Sequence, residues 1–154
     1  MSPLLKNYLD RYLATQGFID DNHPKNISFG YFCSDEQSAN QCAQLVLAGI
    51  KTATCSLKDG YEKANEPIPK IGNLHIVTDW SANPICIIQV IEVSEKAFNQ
   101  VDERFAYLEG EGDRSLNYWR KAHRDFFERE CQLLDMSFNE NSLLVLERFK
   151  LVYY

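Results

Sequence analysis

The sequence predicts an α+β fold in which short strands form a small mixed or closed sheet and helices pack against its ends. Segments with helical and strand periodicity follow one another in the order helix, strand, helix, strand, strand, strand, helix, strand. The strand segments are short, and the connections between them vary in length. The regular alternation of strand and helix that builds a doubly wound parallel sheet is missing.

The N-terminal segment has the pattern of an amphipathic helix. Ser2 provides a helix cap and Pro3 a first-turn proline. Apolar residues then recur at helical spacing: Leu5, Tyr8, Leu9, Tyr12 and Leu13. We expect a helix over about residues 3–15, which extends a single domain spanning residues 1–154.

The next segments predict a turn, a short strand and a second helix. A polar turn is expected at residues 20–24 and a strand at residues 27–32. Ser34 and Gln37 form a capping-box pattern at a helix start. One face of that helix carries small and apolar residues: Ala39, Cys42, Ala43 and Val46. Gly49 is suited to the left-handed position at which such a helix ends.

Three strands are predicted in the middle of the chain. The first runs from Thr52 to Leu57 and begins with a β-branched residue. The second runs from Leu74 to Thr78, after a loop that contains two prolines. The third runs from Ile85 to Val93 and is so apolar that we expect it to be covered on both faces.

The last third of the chain predicts a loop, a long helix and a closing strand. The loop reads EGEGD over residues 109–113, and Asp113 is expected to cap the next helix. That helix should extend from about Ser115 to Leu133, with an inner face of Leu116, Trp119, His123, Phe126 and Phe127. The closing strand is expected at Leu143–Tyr153. Alternation places Glu147 among apolar residues, where a buried acid needs a partner such as an arginine or Lys51.

Composition and charge restrict the classes of function. With 154 residues the chain has the size of one domain, and its 16 basic and 22 acidic residues give a net charge of −6. This balance argues against non-specific binding of long nucleic acids, so no DNA partner is expected, although a local basic groove for RNA is possible. The acidic net charge is more compatible with a small-molecule substrate than with a nucleic acid. No apolar run approaches the ~18 residues of a membrane span, and no signal peptide is recognisable, so no membrane partner and a cytoplasmic location are expected.

The cysteines and histidines are spread along the chain. The five cysteines include no CxxC pair, and an odd number suits a reducing compartment. Cys42 and Cys86 lie in apolar patterns and are predicted to be small core residues. Because the three histidines are scattered as well, we expect neither a metal site nor a cofactor.

Four motifs occur together in a fixed order: GxKxxT at Gly49–Thr54, EGEGD at 109–113, WRxxH at Trp119–His123 and ERF at Glu147–Phe149. In this combination the chain resembles the ASCH domain family, and in particular its longer bacterial members. The resemblance covers about residues 29–152. It implies a PUA-like small mixed β-barrel with flanking helices and a cleft beside the first of its helices.

The resemblance also implies candidate functions and catalytic residues. Some small ASCH proteins are amidohydrolases that deacylate N4-acylcytidines, while RNA binding and ribonuclease activity have also been attributed to the family. In the amidohydrolase pattern a lysine and a threonine of GxKxxT act with a glutamate further along the chain. Carried over to this chain, these are Lys51, Thr54 and either Glu109 or Glu111, with a slight preference for Glu111.

Amide hydrolysis requires a nucleophile, a base and a donor to the developing oxyanion. Thr54 would either attack directly with Lys51 as its base or orient a water molecule. To accept a proton, Lys51 must be neutral, and a nearby acid would raise its pKa and oppose this. Glu109 or Glu111 would carry the proton to the leaving amine. The spacing of Lys51 and Thr54 leaves open whether their side chains point to one side.

Other residues are candidates for substrate binding. They are Trp119, Arg120, His123, Tyr61 and Lys58. Trp119 offers a face on which a base can stack, and Tyr61 is expected in a loop that covers the cleft. His123 is either a satisfied core residue or part of the site. The alternative functions, an RNA-binding module or a ribonuclease in the same cleft, require a basic groove formed by Arg114, Arg120, Lys121 and Arg124.

Overall fold

A mixed five-stranded sheet organises the fold, which a computed structural model describes for residues 1–17 and 26–154. The turn expected at residues 20–24 lies outside the described residues. The strands are β1 (Ile27–Gly30), β2 (Ala53–Leu57), β3 (Leu74–Thr78), β4 (Pro84–Ala97) and β5 (Leu143–Tyr153). Their order in the sheet is β1-β3-β4-β5-β2. β1 is parallel to β3, and the remaining pairs are antiparallel.

The sheet curls into a half-barrel. The register between β4 and β5 shifts between Ile87 and Ile88 and again between Val90 and Glu92. An extra residue in one strand bends that strand and increases its twist. Since β2 is the last strand in the sheet order, one of its edges is left unpaired by the sheet. β2 contains the last two residues of the GxKxxT motif, Ala53 and Thr54.

Five α-helices in the described residues flank the sheet. They are α1 (Pro3–Thr15), α2 (Glu36–Leu47), α3 (Lys58–Ala64), α4 (Glu103–Glu109) and α5 (Leu116–Leu134), with a 3₁₀ turn at Phe98–Gln100. The predicted α+β class, a mixed sheet with flanking helices, is confirmed. None of the helices within the described ranges combines the length and the apolar character of a membrane span.

Three apolar clusters join the helices to the sheet. The five apolar residues predicted for α1 are buried and pack on Leu74, Ile76 and Ile87 of the sheet. α2 contributes Ala43 and Val46 to a second cluster, which also contains Cys86. α5 covers β2 and β5 in a third cluster. The predicted burial of Cys42 and Cys86 is confirmed, since they are 3% and 0% exposed.

Several predicted element ends are corrected by the structure. The first strand ends at Gly30 instead of residue 32. α2 is capped by Asp35, whose side chain accepts from the Ser38 N–H, so Ser34 is not the cap. α5 is capped by Ser115 rather than Asp113. Asp113 instead accepts a hydrogen bond from the backbone of Ser115 and so supports the capping residue.

Two short helices were not predicted. Tyr61, expected in a loop, lies in α3, and Glu109, expected in the EGEGD loop, is the last residue of α4. Each helix has seven residues, which is too few for a clear apolar period. Both helices contact β2 and contribute side chains to its surroundings.

Candidate active site

The end of α2 directs Lys51 into the protein. Gly49 has a positive φ of 69°, as predicted for the residue that ends this helix. The N–H groups of Ile50 and Lys51 then both donate to the Leu45 carbonyl, at 2.9 and 3.0 Å. The backbone of Thr52 donates to Leu108 of α4 at 2.8 Å. The motif is therefore fixed between the end of α2 and the end of α4.

The ammonium group of Lys51 is enclosed by acceptors. It lies 2.8 Å from Glu109 Oε2 and 2.8 Å from Glu111 Oε1. A third contact joins it to the Glu109 carbonyl at 3.4 Å, so each of its three N–H groups has an acceptor. The Phe32 ring covers the ammonium at 5.2 Å. The side chain is 1% exposed.

Two glycines allow the EGEGD loop to approach this lysine. Gly110 has a φ of 76°, and a Cβ there would lie 2.7 Å from the Ile50 carbonyl oxygen. A Cβ on Gly112 would lie about 2.4 Å from the ring of Tyr118. Neither position has space for a side chain, and both have backbone conformations that favour glycine. This close approach brings Glu109 and Glu111 to one ammonium group.

Glu109 is also held by the WRxxH motif of α5. Trp119 Nε1 donates to Glu109 Oε1 at 3.2 Å, and His123 Nε2 lies 3.4 Å from the same oxygen. The indole and imidazole rings stack with centroids 4.3 Å apart. His123 Nδ1 lies 2.9 Å from the Trp119 carbonyl. Both ring nitrogens of His123 thus face acceptors, which favours the doubly protonated imidazolium.

The charges in this cluster stabilise one another. Burial by itself would lower the pKa of Lys51, but Glu109 and Glu111 outweigh it and hold that pKa well above its ordinary value. Burial would raise the pKa of Glu109, but Lys51 and His123 hold it below the usual range. Burial would lower the pKa of His123, yet Glu109 raises it. Lys51 is therefore a cation at neutral pH and is not available as a base.

A cavity of about 460 Å³ opens beside this cluster, between α2 and α5. Lys51, Thr54, Glu109, Glu111 and His123 all line it. The side chain of Glu111 is 20% exposed, whereas that of Glu109 is 2% exposed. Glu111 is consequently the better placed of the two carboxylates to meet a molecule in the cavity.

The side chain of Thr54 lies beside Glu147, whereas the side chain of Lys51 lies between Glu109 and Glu111. Thr54 stands directly opposite Glu147 in the β2–β5 register, and opposed residues of antiparallel strands share one face of the sheet. Cys55 points to the other face, as successive residues of a strand do. Both residues line the cavity because it runs along the edge strand. Within the described residues, the Thr54 hydroxyl has no hydrogen bond to Lys51 or to either glutamate.

Glu147 is paired with a tyrosine, not with the expected cation. Tyr61 of α3 donates to Glu147 Oε1 at 3.4 Å. Burial raises the pKa of Glu147 to about 7. The expectation that an arginine or a lysine, such as Lys51, pairs with this acid is wrong: among the described residues its partner is Tyr61, and Lys51 is engaged by Glu109 and Glu111.

Four of the five predicted substrate-binding residues lie outside the cavity wall. Lys58 pairs with Glu95 at 2.7 Å on the surface. Tyr61 contacts Glu147, as described above. Arg120 donates to the Asn99 carbonyl at 3.3 Å. Trp119 is 2% exposed and touches the site through Glu109. Of the five candidates, His123 alone lines the cavity.

Several lining residues were not predicted for the site. Tyr31 and Tyr118 place aromatic rings at the wall, and Tyr31 packs on Trp80 with ring centroids 4.7 Å apart. Arg129 contributes a cation from α5. Tyr31 lies in the loop after β1, in a segment where the sequence predicted a strand, and a strand pattern does not indicate a role at the site. Arg129 is one of many charged residues on α5 and could not be distinguished by sequence.

The cavity wall also carries two groups of potential metal ligands, although these residues are far apart in sequence. One consists of Cys33, Cys42 and Glu111, and the other of Cys55, Glu109 and His123. In each group the candidate ligand atoms lie within 4.8 Å of one another.

Comparisons with known proteins place this chain in a family. The ASCH domain family model matches residues 28–153. An ASCH domain structure from Lactobacillus crispatus is 46% identical, with a TM-score of 0.92, and the match covers 100% of this chain and 97% of that one. Protein EF3133 from Enterococcus faecalis is 30% identical, with a TM-score of 0.88 and coverages of 99% and 90%.

No curated protein matches the chain. The family match and the two structural matches nevertheless extend over most or all of the sequence. They agree with the curled mixed sheet and flanking helices of the PUA-like fold. The chain therefore belongs to the ASCH domain family.

Proposed function

We propose that this protein is an amidohydrolase that removes the acyl group from N4-acylated cytidines or closely related amides. The observation that carries the proposal is the ion cluster of Lys51, Glu109 and Glu111 at the wall of a 460 Å³ cavity. A cavity of this volume suits a nucleoside-sized ligand. The general association of ASCH domains with hydrolase or RNA-binding roles is consistent with it.

The charge of the cavity supports a small neutral substrate over RNA. Its acidic lining residues are Asp35, Glu109, Glu111, Asp125 and Glu130, and its lysine and arginine residues are Lys51 and Arg129. With the His123 imidazolium counted as a third cation, five acids still outnumber the cations, and this negative balance opposes the approach of a polyphosphate chain. An acylated nucleoside is uncharged and is not repelled.

The basic residues considered for an RNA groove are occupied elsewhere. Arg114 stacks over the Tyr107 ring at 3.5 Å. Arg120 donates to a backbone carbonyl, and Arg124 pairs with Glu140. Three of the four basic side chains that a groove would need thus already have partners. This favours the amidohydrolase over the RNA-binding alternatives.

The geometry suggests a role for each group. Glu111, the partly exposed carboxylate, takes a proton from water as the water oxygen forms a bond to the acyl carbon. The carbonyl π electrons move to oxygen, and the positive charge of Lys51, whose N–H groups stay with the two glutamates, stabilises this oxyanion electrostatically. The bond between the acyl carbon and N4 then breaks, and its electron pair stays with N4. The proton held by Glu111 passes to this leaving amine. Glu109 positions Lys51, and Thr54 orients the water in the edge-strand wall.

The test is hydrolysis of N4-acetylcytidine by the purified protein, followed by absorbance. We expect turnover by the wild type and a kcat reduced roughly 10²–10⁴-fold in Glu111→Gln, because the general base is lost. Glu128→Gln, the same change at an exposed position of α5, is the matched control and should leave kcat unchanged.

Two results would contradict the proposal. One is the absence of turnover by a well-folded wild-type protein. The other is a Glu111→Gln variant as active as Glu128→Gln. Binding of single-stranded RNA that weakens steeply with salt would instead support an RNA-binding function, since such dependence reports phosphate contacts.

A further inference from the structure

We propose that Cys33, Cys42 and Glu111 form a binding site for one thiophilic divalent metal ion, with Zn²⁺ as the representative case. The three side chains come from the loop after β1, from α2 and from the loop between α4 and α5. Their ligand atoms lie within 4.8 Å of one another, and all three residues line the cavity. The inference does not depend on the proposed amidohydrolase activity, and because Glu111 is the general base of that proposal, a bound metal ion would inhibit it.

The spacing of the two sulfur atoms suits a tetrahedral metal. Cys33 Sγ and Cys42 Sγ are 3.3 Å apart. Zn–S bonds of about 2.3 Å at a tetrahedral angle separate two sulfur atoms by about 3.7 Å. A shift of a few tenths of an ångström would therefore accommodate the ion. The cavity side of the site leaves room for water as a fourth ligand.

The charges of the site also match a divalent cation. Two thiolates and one carboxylate carry −3, so a bound Zn²⁺ leaves a net charge of −1. The Lys51 ammonium, 2.8 Å from Glu111 Oε1, offsets that remaining charge. A carboxylate has two oxygens, so Glu111 is able to contact the metal with one and Lys51 with the other.

The backbone at Cys33 provides independent support. Its φ of 70° is in the left-handed region, which is unfavourable for a residue with a Cβ. Strained backbone of this kind clusters at ligand-binding and active sites. Here the strained residue presents its thiol to Cys42 on the cavity wall.

The second group of potential ligands is less suited to a metal ion. It offers only one thiol, Cys55. Its carboxylate, Glu109, is already bound by Lys51, Trp119 and His123. A metal ion there would have to displace a cation that stabilises the buried acid.

The site can be tested by titrating the reduced, metal-free protein with Co²⁺ under anaerobic conditions. We expect one Co²⁺ per chain, a thiolate-to-cobalt charge-transfer band of two sulfur ligands, and loss of the band when Zn²⁺ is added. Cys33→Ser and Cys42→Ser should each weaken Co²⁺ binding on the order of a hundredfold, the upper end of the effect of altered metal-site surroundings. Cys55→Ser and Cys131→Ser, which change thiols outside the site, should bind as the wild type does.

Specific results would overturn the proposal. These are the absence of a charge-transfer band in the folded wild type, a band unchanged in Cys33→Ser, or a band lost in Cys55→Ser. Because Cys42 is buried, its variant is checked for folding by circular dichroism. Cys33 is only partly buried, so its variant decides the question if Cys42→Ser does not fold.

Discussion

At the scale of single residues, the surroundings of Lys51 determine its ionisation and therefore the chemical roles open to it. Its ammonium contacts two carboxylates at 2.8 Å and is almost inaccessible to solvent. To act as a base, Lys51 would have to lose a proton, and the two neighbouring carboxylates oppose that loss. Removing Lys51 would also leave Glu109 buried with a weaker set of partners, which destabilises proteins strongly. Glu111→Gln is therefore a cleaner test of catalysis than a substitution of Lys51.

Glu147 gives a prediction about stability and pH. Its pKa is raised by burial from 4.5 to about 7, and its hydrogen-bond partner is a neutral tyrosine. Between about pH 4.5 and pH 7 the folded protein holds a proton that the unfolded chain releases. The contribution of Glu147 to the free energy of unfolding thus falls as pH rises through this window, by at most about 3 kcal/mol.

We expect Glu147→Gln to remove this pH-dependent loss of stability, because glutamine keeps a hydrogen-bonding side chain of the same size without the charge. The variant should be more stable than the wild type at pH 7 and above, and the difference should vanish near pH 4.5. Urea unfolding at a series of pH values measures both. Glu128→Gln at an exposed site is the control. A difference that does not change with pH would show that Glu147 is not held protonated.

At the scale of elements, the connection between α4 and α5 determines the geometry of the site. Gly110 ends α4 with a positive φ and lies against the backbone of Ile50, directly before Lys51. The contact joins the EGEGD loop to the GxKxxT motif. A side chain at this position would separate Lys51 from the acids that follow α4.

We predict that Gly110→Ala lowers the free energy of unfolding by about 2–5 kcal/mol. A left-handed alanine and a Cβ forced against a carbonyl oxygen each contribute. Gly60→Ala is a matched control, since a Cβ there would meet Leu57 at an ordinary 3.9 Å and Gly60 lies within α3. That change should be neutral or stabilising by up to about 1 kcal/mol. Thermal unfolding of both variants decides the point, and equal midpoints would contradict it.

The elements that sequence predicted well are those with a clear pattern of apolar residues. The face of α1 and the bounds of β3 and β5 agree with the structure. α3 and α4 were missed because seven residues do not fill two helical turns, and α3 buries no residue fully and has no capping side chain. At the site, sequence indicated Lys51 and both glutamates. The family resemblance grouped Lys51 with Glu109 or Glu111, but the residue pattern alone could not show that Lys51 contacts both, because no local pattern encodes contacts across 58 and 60 residues.

At the scale of the whole molecule, α1 packs on the sheet at a position remote from the cavity and stabilises it there. None of its residues lines the cavity, yet five of them are buried against the sheet. Tyr8 also donates to the Ile85 carbonyl of β4 at 3.1 Å. Each fully buried apolar side chain contributes about 1.5–3 kcal/mol, so their sum is comparable to the total stability of a domain. We infer that α1 is part of the folding unit, not a dispensable extension.

This inference predicts different effects for two leucines of α1. Leu9 is 6% exposed and packs on the sheet, whereas Leu4 is 51% exposed. Leu9→Ala should lower the free energy of unfolding by about 2–5 kcal/mol, because it leaves a cavity in the core. Leu4→Ala carries the same change in helix propensity and should stay within about 0.5 kcal/mol of the wild type. Urea unfolding distinguishes the two, and kcat of the folded protein should be unchanged in both. A Leu9→Ala variant as stable as Leu4→Ala would mean that the fold is maintained by the sheet and the other helices alone.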